Sequence, residues 1–402
     1  MYSRKVKNAA FVLEGLNSVS TTLYFNYLFF HMRAEFGFTN QGNLFLCAVN
    51  GAVYMAMAWF GGRVGQRRGY FTALGTGFTV MGVAMLVASR VRSVEGCFAA
   101  MVLWTLGMCF TWPNLEAVVS ERESPLRLQR LLGIYNVVWA VSSGLANFVG
   151  GALLEKLGRE SIFLVPAGLH VVQLVILAWM RKTASPARKG DEEPAVSSVG
   201  LSPEPERWRG SVPPETFLKM AWVANPFAYV AINGLIPVIP RLAERFELSP
   251  MFAGFVCSIW FFARAAAFLL LWHWTAWHYR FRWLAGSYVA VALSFATLLA
   301  STRLWMLVAA QLVFGAGVAL LYYASLFYSM DVGETKGEHG GIHETALGAG
   351  VFAGPALGAA SLRFFPGSPN MNAWAVTLLL MGGFACLVVL RQRGRAKVRS
   401  AG

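Results

Sequence analysis

The sequence predicts an all-α membrane protein, with twelve transmembrane helices arranged as two pseudo-symmetric six-helix bundles. Three observations predict it: the composition, the spacing of apolar runs and an internal repeat. Of 402 residues, 56% are hydrophobic and 13% charged, against about 45–50% and about 25% in soluble chains. A single soluble core is excluded. A bilayer core demands spans of about 20 residues, so this apolar content supplies roughly a dozen crossings.

In chain order the apolar runs fall at 9–32, 43–62, 70–89, 95–119, 131–153 and 161–180, then at 217–240, 250–272, 283–301, 304–330, 341–362 and 372–390. The first follows Arg4, Lys5 and Lys7 as a signal peptide would, but Glu14 and Asn17 interrupt it and no small-x-small cleavage site follows, so a retained span is expected. Between the sixth and seventh runs, the segment 181–216 carries Asp191-Glu192-Glu193-Pro194 and few apolar residues, and reads as a polar linker. The expected organisation is therefore a bundle at 1–180, a cytoplasmic linker at 181–216, and a second bundle with a basic tail at 217–402.

The formal charge of +14 raises nucleic-acid binding as a possibility to be tested against the placement of the charges. Of the 34 basic residues, 24 fall in the termini, the linker and every second loop, 9 in the alternate loops, and Arg264 within a span. That alternation is the positive-inside signature, with both termini cytoplasmic, in the cell's inner membrane. It argues against a nucleic-acid partner. The five cysteines (47, 97, 109, 257, 386) include no Cys-x-x-Cys pair, so neither disulfides nor a zinc site is expected.

The halves repeat each other. Phe36-Gly37-Phe38-Thr39 returns 210 residues later as Phe246-Glu247-Leu248-Ser249. In span 5, Gly133-Ile134 and the later Gly150-Gly151 return 208 residues on as Gly341-Ile342 and Gly358-Ala359 in span 11. Two homologous bundles related by an axis along the membrane normal are one transporter plan.

On these residues the chain resembles the major facilitator superfamily over essentially its whole length. The loop Gly62-Arg63-Val64-Gly65-Gln66-Arg67-Arg68-Gly69-Tyr70-Phe71 is similar to the family's Gly-x-Leu-Ala-Asp-Arg-x-Gly-Arg-Arg signature, matching at Gly62, Arg67 and Gly69. Gln66 stands where the family has Asp. The resemblance implies a latch between this loop, the end of span 4 and the start of span 11, here drawing on Arg67, Arg68, Glu116, Glu338 and Glu344. Glu116 is expected to pair with loop arginines. Gly350, Gly354, Pro355 and Gly358 in span 11 resemble the family's Gly-x3-Gly-Pro-x2-Gly pattern. Physically, small residues four apart let a neighbouring backbone approach, as Gly150 and Gly151 do in span 5; either fixed packing or a moving contact between the halves follows.

Ionisable residues inside spans are costly and must face protein or water. Glu14, Asn17, Thr21 and Tyr24 form a polar stripe at helical spacing. The resemblance places the first span on a central cavity, making Glu14 the candidate proton carrier and local helix–helix bonding the alternative. Arg264 is the deepest charge, and needs a carboxylate, free carbonyls or an anionic solute to answer it. Span 7 contains Asn225-Pro226, Asn233-Gly234, Pro237 and Pro240, and should bend or break where it lines a cavity. Gln311, Tyr322 and Tyr323 in span 10 offer hydrogen-bonding and stacking surface. His339 and His343 are four apart, but the glycines between them spoil a helical face and no metal is expected.

No Walker loop, Gly-x-Ser-x-Gly elbow or His-Glu-x-x-His pair occurs, so no cofactor and no enzymatic activity are expected. The reading is a secondary transporter of a small organic solute by alternating access, in contact with lipid, acting as a monomer, with the proton as candidate coupling ion. The alternatives are a non-transporting sensor or scaffold, or a lipid translocator.

Overall fold

Long helices carry nearly all of the chain in the computed structural model, which describes residues 2–121, 123, 125–184, 212–332 and 336–401. In order the spans are Arg4–Phe36, Asn40–Arg68, Tyr70–Ala88, Val94–Ser120, Pro125–Leu157 and Ser161–Thr183, then Pro214–Arg245, Pro250–His273, Phe281–Ala300, Leu304–Val332, Lys336–Phe364 and Met371–Ala401. Numbered 1 to 12, they form two six-helix bundles. Among the described residues, eleven are long and apolar enough to cross a membrane by composition alone; span 1, interrupted by Glu14, Asn17 and Asn26, is the one of the twelve outside that group. Several helices outrun the apolar runs, span 1 by five residues at its start and span 12 by eleven at its end. The hydrogen-bonded backbone continues into the headgroup layer, where basic side chains are at no disadvantage.

Spans 4, 7 and 8 are each interrupted along their length, span 8 at Ser258 between the helices Pro250–Cys257 and Ile259–His273. Span 4 ends one helix at Met108 and begins another at Trp112, with Pro113 in its first turn. Span 7 passes through Asn225-Pro226 as continuous helix and breaks instead at the 3-10 turn Ile236–Val238. Of the sites at which span 7 was expected to bend or break, the break falls at Pro237, within that turn; at Pro226 the helix packs on span 11, where an added Cβ on Gly350 would stand 2.2 Å from the Pro226 oxygen.

The sequence repeat has a mechanical meaning. Thr39 and Ser249 are both N-caps, accepting from the amides of Gly42 and Phe252. Two residues earlier, at equivalent positions, the chain turns through the left-handed region at Gly37 (φ 66°) and Glu247 (φ 53°).

The start of span 1 is pinned within its own half by a buried ion pair, Lys7 to Glu123, with Lys7 also donating to the Val119 carbonyl at 3.0 Å. Arg127 reaches the other Glu123 oxygen at 3.2 Å. Between halves the principal contacts run along spans 2 and 11 and along spans 5 and 8. Small residues make them possible. A Cβ on Gly51 would stand 2.6 Å from the Phe352 backbone, and one on Gly151 1.9 Å from the Pro250 oxygen. Gly358 abuts Leu44 across the same divide, whereas Gly354 packs on Val230 and Gly150 on Tyr27, each within its own half. Near the span 2–3 loop, Gly65 lies against Asn114, whose amide donates to the Gly61 carbonyl at 3.2 Å, while Gln66, Arg67 and Arg68 are exposed. Their expected partners Glu338 and Glu344 have side chains outside the described residues.

Polar contacts between halves gather on the face opposite the termini. Arg33 pairs with Glu244, its Nη2 at 2.6 Å from Oε2. Asn43 donates to the Pro237 carbonyl at 3.1 Å, and the Met251 amide to Glu155 at 3.1 Å. The halves are closed together there.

A side chain in the left-handed region costs about 1–2 kcal/mol. Glu247→Gly is therefore expected to raise the midpoint of thermal unfolding in detergent and Gly37→Ala to lower it, both read by tryptophan fluorescence.

Candidate functional site

Where the bundles part, spans 1, 2, 4 and 5 of one half and 7, 8, 10 and 11 of the other surround a cavity of about 170 Å³. Its wall is aromatic, with Trp104, Trp112, Trp139 and Trp260 among the lining residues, and is dotted with amides: Asn26, Asn50, Asn136 and Asn233. Helix geometry sets this pattern. Thr21, Thr22, Phe25 and Asn26 lie on one stripe of span 1, and Trp260, Phe261 and Arg264 on one stripe of span 8.

Most amides are held from behind. Asn26 donates to Asn147 Oδ1 at 2.9 Å, Asn50 to Thr105 Oγ1 at 2.7 Å, and Asn233 to the Tyr229 carbonyl at 3.0 Å. Their remaining polar atoms are available to a solute.

Arg264 dominates the cavity electrostatically. It is 1% exposed, and its Nε and Nη1 have no hydrogen-bond partner among the described residues. The guanidinium lies over the Trp139 ring at 4.2 Å, with Tyr322 at 5.2 Å and Phe268 at 5.3 Å. Such contacts return about 0.5–2 kcal/mol, against roughly 2.5–3.5 kcal/mol for placing an arginine at mid-membrane. The site holds a cation whose full counterpart is not a protein side chain among the described residues. Trp139 belongs to one half and Arg264 to the other, so the interaction spans the dividing surface.

Glu14 does not lie on the cavity wall, contrary to the stripe expectation. It is fully buried, accepting from Ser18 Oγ at 2.9 Å and from Tyr135 Oη at 2.6 Å. Tyr135 of span 5 does line the cavity and stands between it and Glu14. The carboxylate is one side chain removed from the solute space.

The other sequence candidates divide. Thr21, Asn233, Arg264 and Tyr322 line the cavity, as does Glu116, which was expected at the interface with loop arginines. The break at Cys109–Thr111 starts a fresh helix and turns Glu116 inward. Asn17 instead donates to Thr111 Oγ1 at 3.3 Å, and Tyr24 packs edge-on against Trp104 at 4.8 Å. Asn225 and Gln311 are buried off the cavity, both amide atoms of each without a partner among the described residues, and Tyr323 packs near Trp277. Three lining amides were not singled out from sequence: Asn26, Asn50 and Asn136. Each interrupts an apolar run, the signal that marked Asn17.

Comparison with known proteins decides the family. The profile of the Major Facilitator Superfamily matches residues 10–226. The chain belongs to the major facilitator superfamily. Among solved structures it is similar to the nucleoside transporter NupG, with 14% identity, 96% of this chain and 99% of that one covered and a TM-score of 0.69. It is also similar to the human organic anion transporter MFSD10 (TETRAN), at 15% identity, 96% and 99% coverage and a TM-score of 0.66. A bacterial homolog of the human lysosomal transporter Spinster, in an inward-facing and unoccupied conformation, gives 13% identity, 98% and 96% coverage and a TM-score of 0.67. These likenesses establish the fold. A methylenomycin A resistance protein of Streptomyces coelicolor is 30% identical over 104 residues, 26% of this chain and 21% of that relative, so the match spans about a fifth of the relative's length. A multi-pass membrane protein of this superfamily, with a cavity at the junction of its halves, is the result.

Removing the partner of a buried charged or polar group costs about 1–3 kcal/mol. Tyr135→Phe, which takes from Glu14 the donor to its Oε2 and leaves the Ser18 hydroxyl on Oε1, is expected to lower the thermal midpoint in detergent; an unchanged midpoint would remove this bond from the stability of the first bundle.

Proposed function

We propose that this chain is a secondary active transporter that moves a small organic solute by alternating access, coupled to protons. The observation that carries the reading is the cavity itself: polar and aromatic, shared by both halves, and closed by contacts between halves on the face opposite the termini. In this reading the termini and the linker between spans 6 and 7 are cytoplasmic, following the basic-residue excess, and the solute space communicates with the cytoplasm. The structural relatives, among them a nucleoside transporter and an organic anion transporter, support a small organic solute as cargo.

The cycle follows from the contacts. With Arg33–Glu244, Asn43–Pro237 and Glu155–Met251 made, access from the outer face is shut. Outward opening breaks these contacts and slides span 2 on span 11 and span 5 on span 8, where glycines let the backbones pass closely. A half-exposed ion pair such as Arg33–Glu244 contributes about 0–1 kcal/mol. That is enough to shift a balanced two-state equilibrium several-fold, since 1.4 kcal/mol is about tenfold.

Glu14 is the proposed proton carrier. A carboxylate enclosed by helices exchanges its proton only when a path opens, and here the path runs through the Tyr135 hydroxyl at the cavity wall. Arg264 stays charged throughout and cannot carry the proton.

Two tests follow. In proteoliposomes supplied with a panel of radiolabelled solutes, an imposed proton gradient is expected to drive accumulation by the wild type. Glu14→Gln should abolish gradient-driven accumulation and spare solute exchange; full coupling in that variant would remove Glu14 from the mechanism. For the outer closure, Arg33→Glu and Glu244→Arg are each expected to increase labelling of a cavity cysteine by an impermeant reagent from outside, and the double exchange to reduce it towards the wild-type level. Purely additive increases would reject the pairing.

A further inference from the structure

We infer that the solute is a small monoanion built on one aromatic ring, an ionised aromatic carboxylic acid, bound with its carboxylate on Arg264 and its ring against the tryptophans of the cavity. The inference rests on the transporter reading of this cavity and names the cargo it takes. Four observations converge on it.

Arg264 is 1% exposed and lines the cavity with Nε and Nη1 unpartnered among the described residues. Buried donors of this kind are almost always satisfied, and a charged acceptor satisfies them best. Arg264 is also the single Lys or Arg among the described lining residues. A dianion would bring a second negative charge with no second cation among those residues to meet it, which restricts the solute to one negative charge.

The apolar part is defined by the wall. Trp139 of one half and Tyr322 of the other lie beside the guanidinium, and Trp104, Trp112 and Trp260 continue the aromatic surface. Flat π-faces receive a flat ring in offset or edge-on contact. The space is of matching size: the cavity is about 170 Å³, close to the roughly 150 Å³ cavity that holds one benzene. One ring and a short acidic arm fit that space.

The placement also explains how such a solute would be felt by both halves. A carboxylate on Arg264 draws on span 8, while the ring contacts Trp139 of span 5, and those two spans meet along the dividing surface. Binding therefore bridges the bundles where they move.

The test uses the full chain in lipid nanodiscs, with tryptophan fluorescence and the thermal midpoint as binding readouts and three probes: phenylpropionate, its neutral amide, and propionate. Phenylpropionate is expected to quench fluorescence and raise the midpoint, with the amide and propionate each requiring about tenfold or more higher concentration. Arg264→Gln should weaken phenylpropionate by about tenfold to a hundredfold and leave the amide unchanged. Should that variant not fold, Arg264→Lys, which keeps the charge and loses the planar fork, and Trp139→Leu should each weaken phenylpropionate. Equal binding of the acid and its amide, or acid binding indifferent to all three substitutions, would overturn the assignment. The two readings fail separately. If phenylpropionate binds through Arg264 but never crosses proteoliposomes, the anion site stands and the transporter reading falls; if neutral solutes are transported and Arg264→Gln leaves them unaffected, the reverse holds.

Discussion

A polar group taken into hydrocarbon must be answered by protein, water or cargo, and the architecture of this chain follows from that constraint. On the face opposite the termini, Arg33, Arg92 and Arg159 find Glu244, Glu160 and Glu35. At the terminal face Lys7 and Glu123 neutralise each other in a buried pair, and within span 1 Glu14 is wrapped by Ser18 and Tyr135. Arg264 is the exception. It is deep, buried and only partly answered by aromatic faces, and the chain tolerates it at the place where the two bundles enclose a solute space.

The same constraint governs how the halves touch. Lipid tails are as apolar as leucine, so helices in a membrane associate through close packing and hydrogen bonds rather than through a hydrophobic drive. Gly51 and Gly348 let span 2 and span 11 meet backbone to backbone, and Gly151 does the same for spans 5 and 8. The polar contacts on the face opposite the termini are few and individually weak, so closure there is reversible by small changes in binding energy.

The sequence made the scaffold legible because hydrocarbon imposes a simple code: twelve apolar runs, a charge bias that alternates from loop to loop, and a repeat whose residues proved to be N-caps and turn residues at matched positions. Arg264 was legible as a cavity residue candidate for the same reason, since an arginine within an apolar run demands an explanation. Pairings over long separations were not. Glu14 was read as lining, and nothing local to span 1 could reveal that Tyr135, 121 residues away, would screen it from the cavity. Asn26, Asn50 and Asn136 carried the same signal as Asn17, a lone amide in an apolar run, yet only the packing of eight spans shows which amides turn inward. The glycine pattern of span 11 pointed to close packing, but its partners were divided between span 7 of its own half and span 2 of the other, a division that depends on helix rotation.

The central claim is that the bundles rock about the cavity, exchanging closure at one face for closure at the other. Spin-label distances test it most directly: one pair at Ala34 and Arg303, across the halves on the face opposite the termini, and one at Lys182 and Gln392 on the terminal face, measured in nanodiscs with and without transported solute at two pH values. The account predicts opposite changes, the first distance growing in the conditions where the second shrinks. Distances that stay fixed in every condition, or that lengthen together, would contradict it.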